Sequence, residues 1–259
     1  METKYVFVTG GVAPSSVKAE DVIHVNKVED IHLTAGKSFD TAPVSLTIKA
    51  DGKVETGGKV YTAAQLKDII KPHEAGQPQT TVQIIAADDV PMGAINDVKD
   101  ELRKLGSLKI RYSSPAGPEG TTRYMPPFPT SKKANNSVYP EELLPGVDRE
   151  NIFVVRINSA DKIFFGKQPL QDDNEMLRAG ADFLKARGKN ARFYFQADRG
   201  TSYGAYRHMQ ELLMRVYAEV RNENALEQYG KPFSDLTVEE KNQINYQLPI
   251  SISEAESKK

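Results

Sequence analysis

Residues 191–220 read ARFYFQADRGTSYGAYRHMQELLMRVYAEV, and this stretch decides the fold. It begins with an apolar run, continues through a turn of small and polar residues, and ends in apolar residues that recur at helical spacing. The sequence therefore predicts a buried strand, a tight turn and a long amphipathic helix, in that order. We expect the helix to run from Ser202 to about Gln228.

An earlier stretch repeats this pattern, because residues 81–105 read TVQIIAADDVPMGAINDVKDELRKL. When the two stretches are aligned, Ala87-Asp88 falls on Ala197-Asp198 and Met92-Gly93 falls on Tyr203-Gly204. This alignment needs one inserted residue in the second turn. We interpret the chain as two copies of one unit.

The composition excludes several classes of function. The 34 lysines and arginines nearly balance the 35 aspartates and glutamates, and the basic residues are dispersed, so nucleic acid is not expected as a partner. The chain has no cysteine, which excludes disulfides and thiolate metal sites, and its four histidines lack metal-ligand spacing. No group of nucleophile, base and orienting acid stands out. We therefore expect no metal, no cofactor and no catalytic residue.

The first copy is predicted at residues 42–112 as a ββαβαβ unit, a two-layer α/β sandwich. Strands at 44–48 and 53–61 flank Asp51-Gly52, which is a strong hairpin signal. The further elements predicted are a helix at 63–70, a strand at 82–86, a helix from Met92 to Leu105 and a closing strand at 108–112.

The second copy is predicted at residues 151–259 with a similar order of elements. These are strands at 152–157 and 162–165, a helix at 174–185, a strand at 191–196, the long helix, a capped helix at 237–245 and an edge strand at 248–252. The proline-rich residues 113–150 are predicted as a linker between the copies. Residues 1–41 form an N-terminal segment with no assigned role. No apolar run reaches the roughly 18 to 20 residues that cross a bilayer.

Short motifs in both copies resemble those of a known family. In the first copy, Val90-Pro91-Met92-Gly93 opens the helix, Leu102-Arg103-Lys104-Leu105-Gly106 ends it, and Lys109-Ile110 begins the next strand. In the second copy, Asp198-Arg199-Gly200-Thr201-Ser202-Tyr203-Gly204 precedes the long helix. With these motifs, residues 42–257 resemble two tandem periplasmic domains of the ExbD/TolR family of biopolymer transport proteins.

The resemblance implies a non-catalytic part of a proton-motive-force-driven complex at the periplasmic face of the inner membrane. Its implied partners are ExbB/TolQ-like and TonB/TolA-like proteins. Family members usually carry one transmembrane helix, with a functional aspartate, ahead of one such domain. We find neither in this sequence, so we interpret the chain as the periplasmic portion of a longer protein. A tandem form that acts beside an anchored partner is the alternative.

The turn before each amphipathic helix is the candidate site. Glycine in a first helical turn costs up to ~1 kcal/mol relative to alanine, so Gly93 and Gly204 need a reason. Either the helix start packs closely on a neighbouring strand, which we favour, or the bare backbone meets a partner chain. Thr201 is the predicted helix cap and Pro91 the predicted first helical residue. The candidates are Asp88, Val90, Pro91, Met92, Gly93, Asp198, Arg199, Gly200, Thr201, Ser202, Tyr203 and Gly204.

Three functions compete. In the first, the domains pair, as a homodimer or as an intramolecular pseudo-dimer, and an edge strand captures an extended segment of a TonB-like protein. The second is TolR-like binding of peptidoglycan. In the third, KYVFVTGGV at residues 4–12 resembles the opening of a CTP synthase, which would make the chain a nucleotide-binding enzyme. The lysine and Ser/Thr of a phosphate loop do not follow Thr9-Gly10-Gly11 at the required spacing, so this is the weakest of the three.

Overall fold

Two mixed β-sheets with helices packed against them make up the fold, which confirms the predicted α/β class. The structure is a computed structural model that describes residues 44–70, 81–107, 109–115, 122–124, 147–166 and 168–256. All of these residues belong to one compact unit, Ala42–Lys259. No helix in the described residues is long and apolar enough to span a membrane.

The first sheet has the strand order β3-β2-β1-β4-β5-β6. Its strands are β1 (Val44–Ile48), β2 (Val54–Thr56), β3 (Lys59–Tyr61), β4 (Val82–Ala86), β5 (Lys109–Ser113) and β6 (Thr122–Tyr124). Strands β1, β4 and β5 are parallel, and the other pairings are antiparallel. A 3₁₀ helix, Ala63–Asp68, leads into β4, and helix α1, Met92–Lys104, connects β4 to β5.

The second sheet has the strand order β11-β10-β7-β8-β9. Its strands are β7 (Ile152–Ile157), β8 (Ile163–Phe165), β9 (Gln168–Pro169), β10 (Arg192–Ala197) and β11 (Ile252–Glu256). The helices are α2 (Asp173–Arg187), α3 (Tyr203–Tyr229) and α4 (Val238–Gln247), with short 3₁₀ helices at Arg149–Asn151, Gly188–Asn190 and Phe233–Asp235. Strands β7, β10 and β11 are parallel, and β8 and β9 are antiparallel additions.

The two sheets share one topology. The order β3-β2-β1-β4-β5 corresponds strand by strand to β9-β8-β7-β10-β11, with the same strand directions. We call the part from β1 to β6 the first half and the part from β7 to β11 the second half. The correspondence agrees with the interpretation of the chain as two copies of one unit.

The first half departs from the prediction in three places. The predicted strand at 53–61 is two antiparallel strands, because Gly57 and Gly58 both adopt positive φ (55° and 73°) and make a two-residue turn. The predicted helix at 63–70 is a 3₁₀ helix that ends at Asp68. Strand β6 lies within the predicted linker and pairs with β5, so the predicted closing strand of the first copy is not the last strand of its sheet. Most of the remaining linker lies outside the described residues.

The second half follows the prediction more closely. The edge strand is β11 at 252–256, later in the chain than the predicted 248–252, and it lies parallel to β10. Leu248 instead ends α4, where its carbonyl accepts a hydrogen bond from the Arg221 guanidinium (2.7 Å). The capping box predicted at Thr237 is present, with Glu240 as its reciprocal partner.

The hydrophobic core is continuous across both halves. The predicted stripe of α1 is buried at Met92, Ile95, Val98 and Leu102, whereas Leu105 is only partly buried. The predicted stripe of α3 is buried as well, at Tyr206, Met209, Leu213, Tyr217 and Val220. Both stripes belong to one hydrophobic cluster, which also contains apolar residues of β1, β4, β7 and β10.

Candidate functional site

The two turns singled out by the sequence lie against each other. We call residues 87–93 the first turn and residues 198–204 the second turn. Pro91 and Ser202 face each other in an antiparallel β-bridge at the centre of this contact. Each turn joins an interior strand, β4 or β10, to an amphipathic helix. The two turns therefore meet where these two strands end. The site is therefore a joint between the halves.

Four backbone hydrogen bonds cross the joint in reciprocal pairs. They are Met92 N to Thr201 O (2.8 Å) with Tyr203 N to Val90 O (2.8 Å), and Gly93 N to Arg199 O (2.7 Å) with Gly204 N to Asp88 O (2.9 Å). The first amides of a helix have no acceptor within their own helix. Each turn therefore supplies carbonyl acceptors to the first amides of the helix that follows the other turn. The reciprocity means that a pseudo-twofold axis relates the two turns.

The reciprocal bonds also correct the alignment of the two copies. Each residue of the first turn corresponds to the residue 111 positions later, as the turn bonds Val90 N to Ala87 O (3.1 Å) and Thr201 N to Asp198 O (3.0 Å) show. The predicted one-residue insertion is wrong. The Ala-Asp dipeptide at both strand ends misled the alignment, because Asp88 corresponds to Arg199 and not to Asp198.

Close approach across the joint explains the two glycines. A Cβ atom on Gly204 would lie 2.8 Å from Cβ of Asp88, and one on Gly93 would lie 3.1 Å from Nη2 and 3.2 Å from the carbonyl oxygen of Arg199. The expected close packing is present, but its partner is the opposite turn of the same chain rather than a neighbouring strand. The bare backbone therefore meets a second copy of its own motif.

We expect Gly204→Ala to lower the free energy of unfolding by about 1–2 kcal/mol, since overpacking outweighs the gain in helix propensity. The new methyl group would collide with the Asp88 side chain. The double variant Asp88→Gly/Gly204→Ala removes that side chain and should recover part of the loss. Urea denaturation measures both variants. A Gly204→Ala protein at least as stable as the parent would contradict the close approach.

The cap of α3 differs from the prediction. Ser202, and not Thr201, is the N-cap residue, and its Oγ accepts a hydrogen bond from Ala205 N (3.1 Å). Thr201 is fully buried, and its hydroxyl donates to the carbonyl of Ile157 (3.2 Å), which ties the second turn to β7. In the first turn, Pro91 occupies the N-cap position, one residue before the predicted place.

Two ion pairs lie at the rim of the joint. The Arg199 guanidinium contacts Asp97 (3.1 Å) on α1, and Arg207 on α3 contacts Asp88 (3.3 Å) in the first turn. Both pairs join one half to the other. Arg199 therefore points across the joint to Asp97 on α1.

The candidate residues differ widely in exposure. Val90, Met92, Gly93, Thr201 and Tyr203 are buried; Pro91, Asp198, Arg199, Ser202 and Gly204 are half-buried; Asp88 and Gly200 are exposed. The buried members hold the halves together. Contact of any of these residues with another protein stays a prediction.

Tyr203 reaches from the second half into the first. Its side chain is fully buried, and its hydroxyl donates to the carbonyl of Ser113 (3.0 Å) on β5. The ring of Tyr112, also on β5, packs edge-on against Tyr206 of α3, with 5.3 Å between ring centroids. Aromatic residues from both halves thus fill the space behind the two turns.

A cluster of polar side chains lies behind these rings, and the sequence analysis did not predict it. Glu254 on β11 accepts hydrogen bonds from the Tyr206 hydroxyl (2.7 Å) and from Gln210 Nε2 (2.9 Å), and Lys99 Nζ lies 3.6 Å from the same carboxylate. The Lys99 side chain is only 1% exposed. We call Lys99, Tyr112, Tyr206, Gln210 and Glu254 the axial cluster. The sequence signal for this cluster was Lys99, a charged residue next to Val98 within the apolar stripe of α1.

Burial controls the ionisation of the tyrosines in the axial cluster. Desolvation raises the pKa of the Tyr206 hydroxyl well above its ordinary value, and the charge of Glu254 adds to the shift. Desolvation also raises the pKa of Tyr112. Both side chains therefore stay neutral in the folded protein at a pH where they ionise in the unfolded chain.

The stability of the protein should consequently fall with rising pH above about pH 10, where unfolded tyrosine ionises. Because the folded-state pKa is raised, the free energy of unfolding does not change below that pH. Above it, the free energy of unfolding falls by about 1.4 kcal/mol per pH unit for each tyrosine. Tyr206→Phe should make this alkaline decline shallower by about that slope. Urea denaturation from pH 9 to 11 measures it, and an unchanged slope in the variant would contradict the assignment.

The described residues contain no group of three or more His, Asp or Glu side chains that could hold a metal ion. Thr9-Gly10-Gly11, the predicted phosphate-loop candidate, lies outside the described residues. The arrangement described above joins two like modules.

The fold and the joint define a protein built from two like α/β modules that bind each other. Residues 14–114 match the family model of the biopolymer transport protein ExbD/TolR. This match covers less than half of the chain, and it supports the predicted resemblance to the ExbD/TolR family for the first half. The match begins well before residue 42, where the predicted resemblance started. No curated protein matches the chain. At a coarse level, the match supports a role as a component of energy-transducing biopolymer transport.

Proposed function

We propose that this chain is a non-catalytic component of a proton-motive-force-driven complex of the ExbD/TolR type, acting at the periplasmic face of the inner membrane. Its partners are ExbB/TolQ-like and TonB/TolA-like proteins. The family match over residues 14–114 supports the coarse role. The reciprocal joint supports a more specific role, in which a single chain carries both domains of a pair.

In this proposal the turns act as the internal joint and the partner binds elsewhere. The backbone amides of Gly93 and Gly204 already have acceptors in the opposite turn, so they are not available to another chain. The tandem arrangement makes a homodimer unnecessary for completing this contact. The proposed molecule is an intramolecular pseudo-dimer with two sheets that present edge strands.

The second half offers the better edge for an extended peptide. In the first half, β6 pairs antiparallel with the outer side of β5. In the second half, β11 corresponds to β5, and none of the described strands occupies the corresponding place beside it. Unpaired main-chain groups on an edge strand recruit extended segments by strand addition. We propose that a segment of a TonB-like protein adds to β11 as β6 adds to β5.

Photo-crosslinking tests this proposal. A photoreactive amino acid in place of Ser253 on β11 should cross-link to the periplasmic region of a TonB-like or TolA-like protein. Tyr246 is 72% exposed on α4 and provides the control position, which should give no product. Equal cross-linking at both positions, or none at Ser253 when the complex forms, would refute strand addition at β11.

TolR-like binding of peptidoglycan is the alternative role. Retention of the chain on purified cell-wall sacculi, together with the absence of cross-links from Ser253 to a TonB-like or TolA-like protein, would favour that role over peptide capture. Absence of retention would exclude it.

A further inference from the structure

The backbone of the joint does not determine which halves pair. Its four hydrogen bonds are reciprocal, so a second copy of either half would present the same donors and acceptors in the same places. Selection has to come from side chains at corresponding positions. The corresponding positions that differ in charge include Asp88 with Arg199, Asn96 with Arg207 and Lys99 with Gln210.

The axial cluster fits only a pair of unlike halves. The strand registers make Tyr112, opposite Ile84, correspond to Glu254, opposite Phe195. In a pair of first halves, Tyr112 would replace Glu254, and two buried Lys99 side chains would lack this carboxylate. In a pair of second halves, two Glu254 carboxylates would lack the lysine. Burying charge without its counter-charge is strongly unfavourable.

The ion pairs at the rim of the joint also favour a pair of unlike halves. Asp97 faces Arg199 (3.1 Å) and Asp88 faces Arg207 (3.3 Å). In a pair of first halves, Asp88 would take the place of Arg199 and face Asp97. In a pair of second halves, Arg199 would take the place of Asp88 and face Arg207. Both arrangements place like charges opposite each other, which disfavours the wrong partner.

We propose that these side chains make the joint heterotypic. The pairing surface of the first half accepts the second half of this chain and rejects another first half, and the second half has the converse preference. The joint closes within one chain, and two chains could join through it only by exchanging halves. This inference concerns which surfaces pair, and it holds whether or not the chain acts in energy transduction.

Engineered disulfides in the full chain test the pairing, because the natural sequence has no cysteine. Pro91 and Ser202 face each other at a non-hydrogen-bonded bridge position, where Cα atoms lie about 4.5 Å apart, within disulfide range. Pro91→Cys/Ser202→Cys should oxidise to a 91–202 bond, identified by mass spectrometry. Pro91→Cys alone and Ser202→Cys alone should give no 91–91 or 202–202 dimer. Such dimers in comparable yield would overturn the proposal.

Charge changes at the rim test the cause of the selection. In the double-cysteine chain, Arg199→Asp places a second acid beside Asp97 and should lower the equilibrium constant of the 91–202 disulfide by about fivefold. The matched control, Arg199→Asp/Asp97→Arg, restores opposite charges and should restore the constant. Circular dichroism confirms that each variant is folded. Equal constants in the parent and both variants would overturn the role of the rim charges.

Discussion

Replacing Tyr203 with alanine is expected to lower the free energy of unfolding by about 3–5 kcal/mol, the range found for removing a buried aromatic side chain. Tyr203 starts α3 in the second half but ends against β5 of the first, where its hydroxyl reaches the Ser113 carbonyl (3.0 Å). Its ring is fully buried beside Tyr112, with 6.5 Å between centroids. The truncation would open a cavity between the halves.

Tyr203→Phe provides the matched control. It keeps the ring and removes one hydrogen bond, so it should cost only about 1 kcal/mol. Urea denaturation followed by circular dichroism measures both variants, and equal slopes would show that both unfold over the same surface. An alanine variant within 1 kcal/mol of the parent, about the cost of one hydrogen bond, would mean that the side chain does not bridge the halves.

Glu254→Gln is expected to be the second severe change, at about 3–5 kcal/mol, because removing the charge of one partner from a buried ion pair is strongly destabilising. The Glu254 side chain is 14% exposed and lies 3.6 Å from Lys99 Nζ. Its carboxylate also accepts the hydrogen bonds from Tyr206 and Gln210. The variant removes the negative charge at the point where Lys99, Tyr206 and Gln210 meet.

The double variant Lys99→Met/Glu254→Gln separates charge from packing. Replacing the buried ammonium with an apolar side chain of similar length removes the charge that Glu254 offsets, so the double variant should be more stable than Glu254→Gln alone. Thermal and urea unfolding of the four proteins in the cycle measure the coupling. Additive effects of the two substitutions would contradict an ion pair between these side chains.

The strand, turn and helix of each half could be predicted because their signals are local. The apolar run before Asp88 and the helical stripe that starts at Met92 are contiguous, and the stretch from Ala191 to Val220 has the same order. Gly57-Gly58 lies within the predicted strand at 53–61, although two adjacent glycines also fit a tight turn. Local pattern alone did not distinguish these two structures.

The joint could be predicted only in part. The glycines at positions 93 and 204 signalled close approach in both copies, but the sequence did not show which surface approaches them. That depends on how the two sheets pack. The pairing of Lys99 with Glu254 was invisible for the same reason, since α1 and β11 lie far apart in the chain and meet only in the folded protein.

Amide hydrogen exchange at the helix starts is the most direct test of the joint between the halves. The amides of Met92, Gly93, Tyr203 and Gly204 have no acceptor in their own helices and would exchange quickly in separate domains. The joint gives each of them an acceptor in the opposite turn, so we predict that these four amides exchange about as slowly as those of β4 and β10. Fast exchange at all four, with the strands still protected, would contradict the joint between the halves.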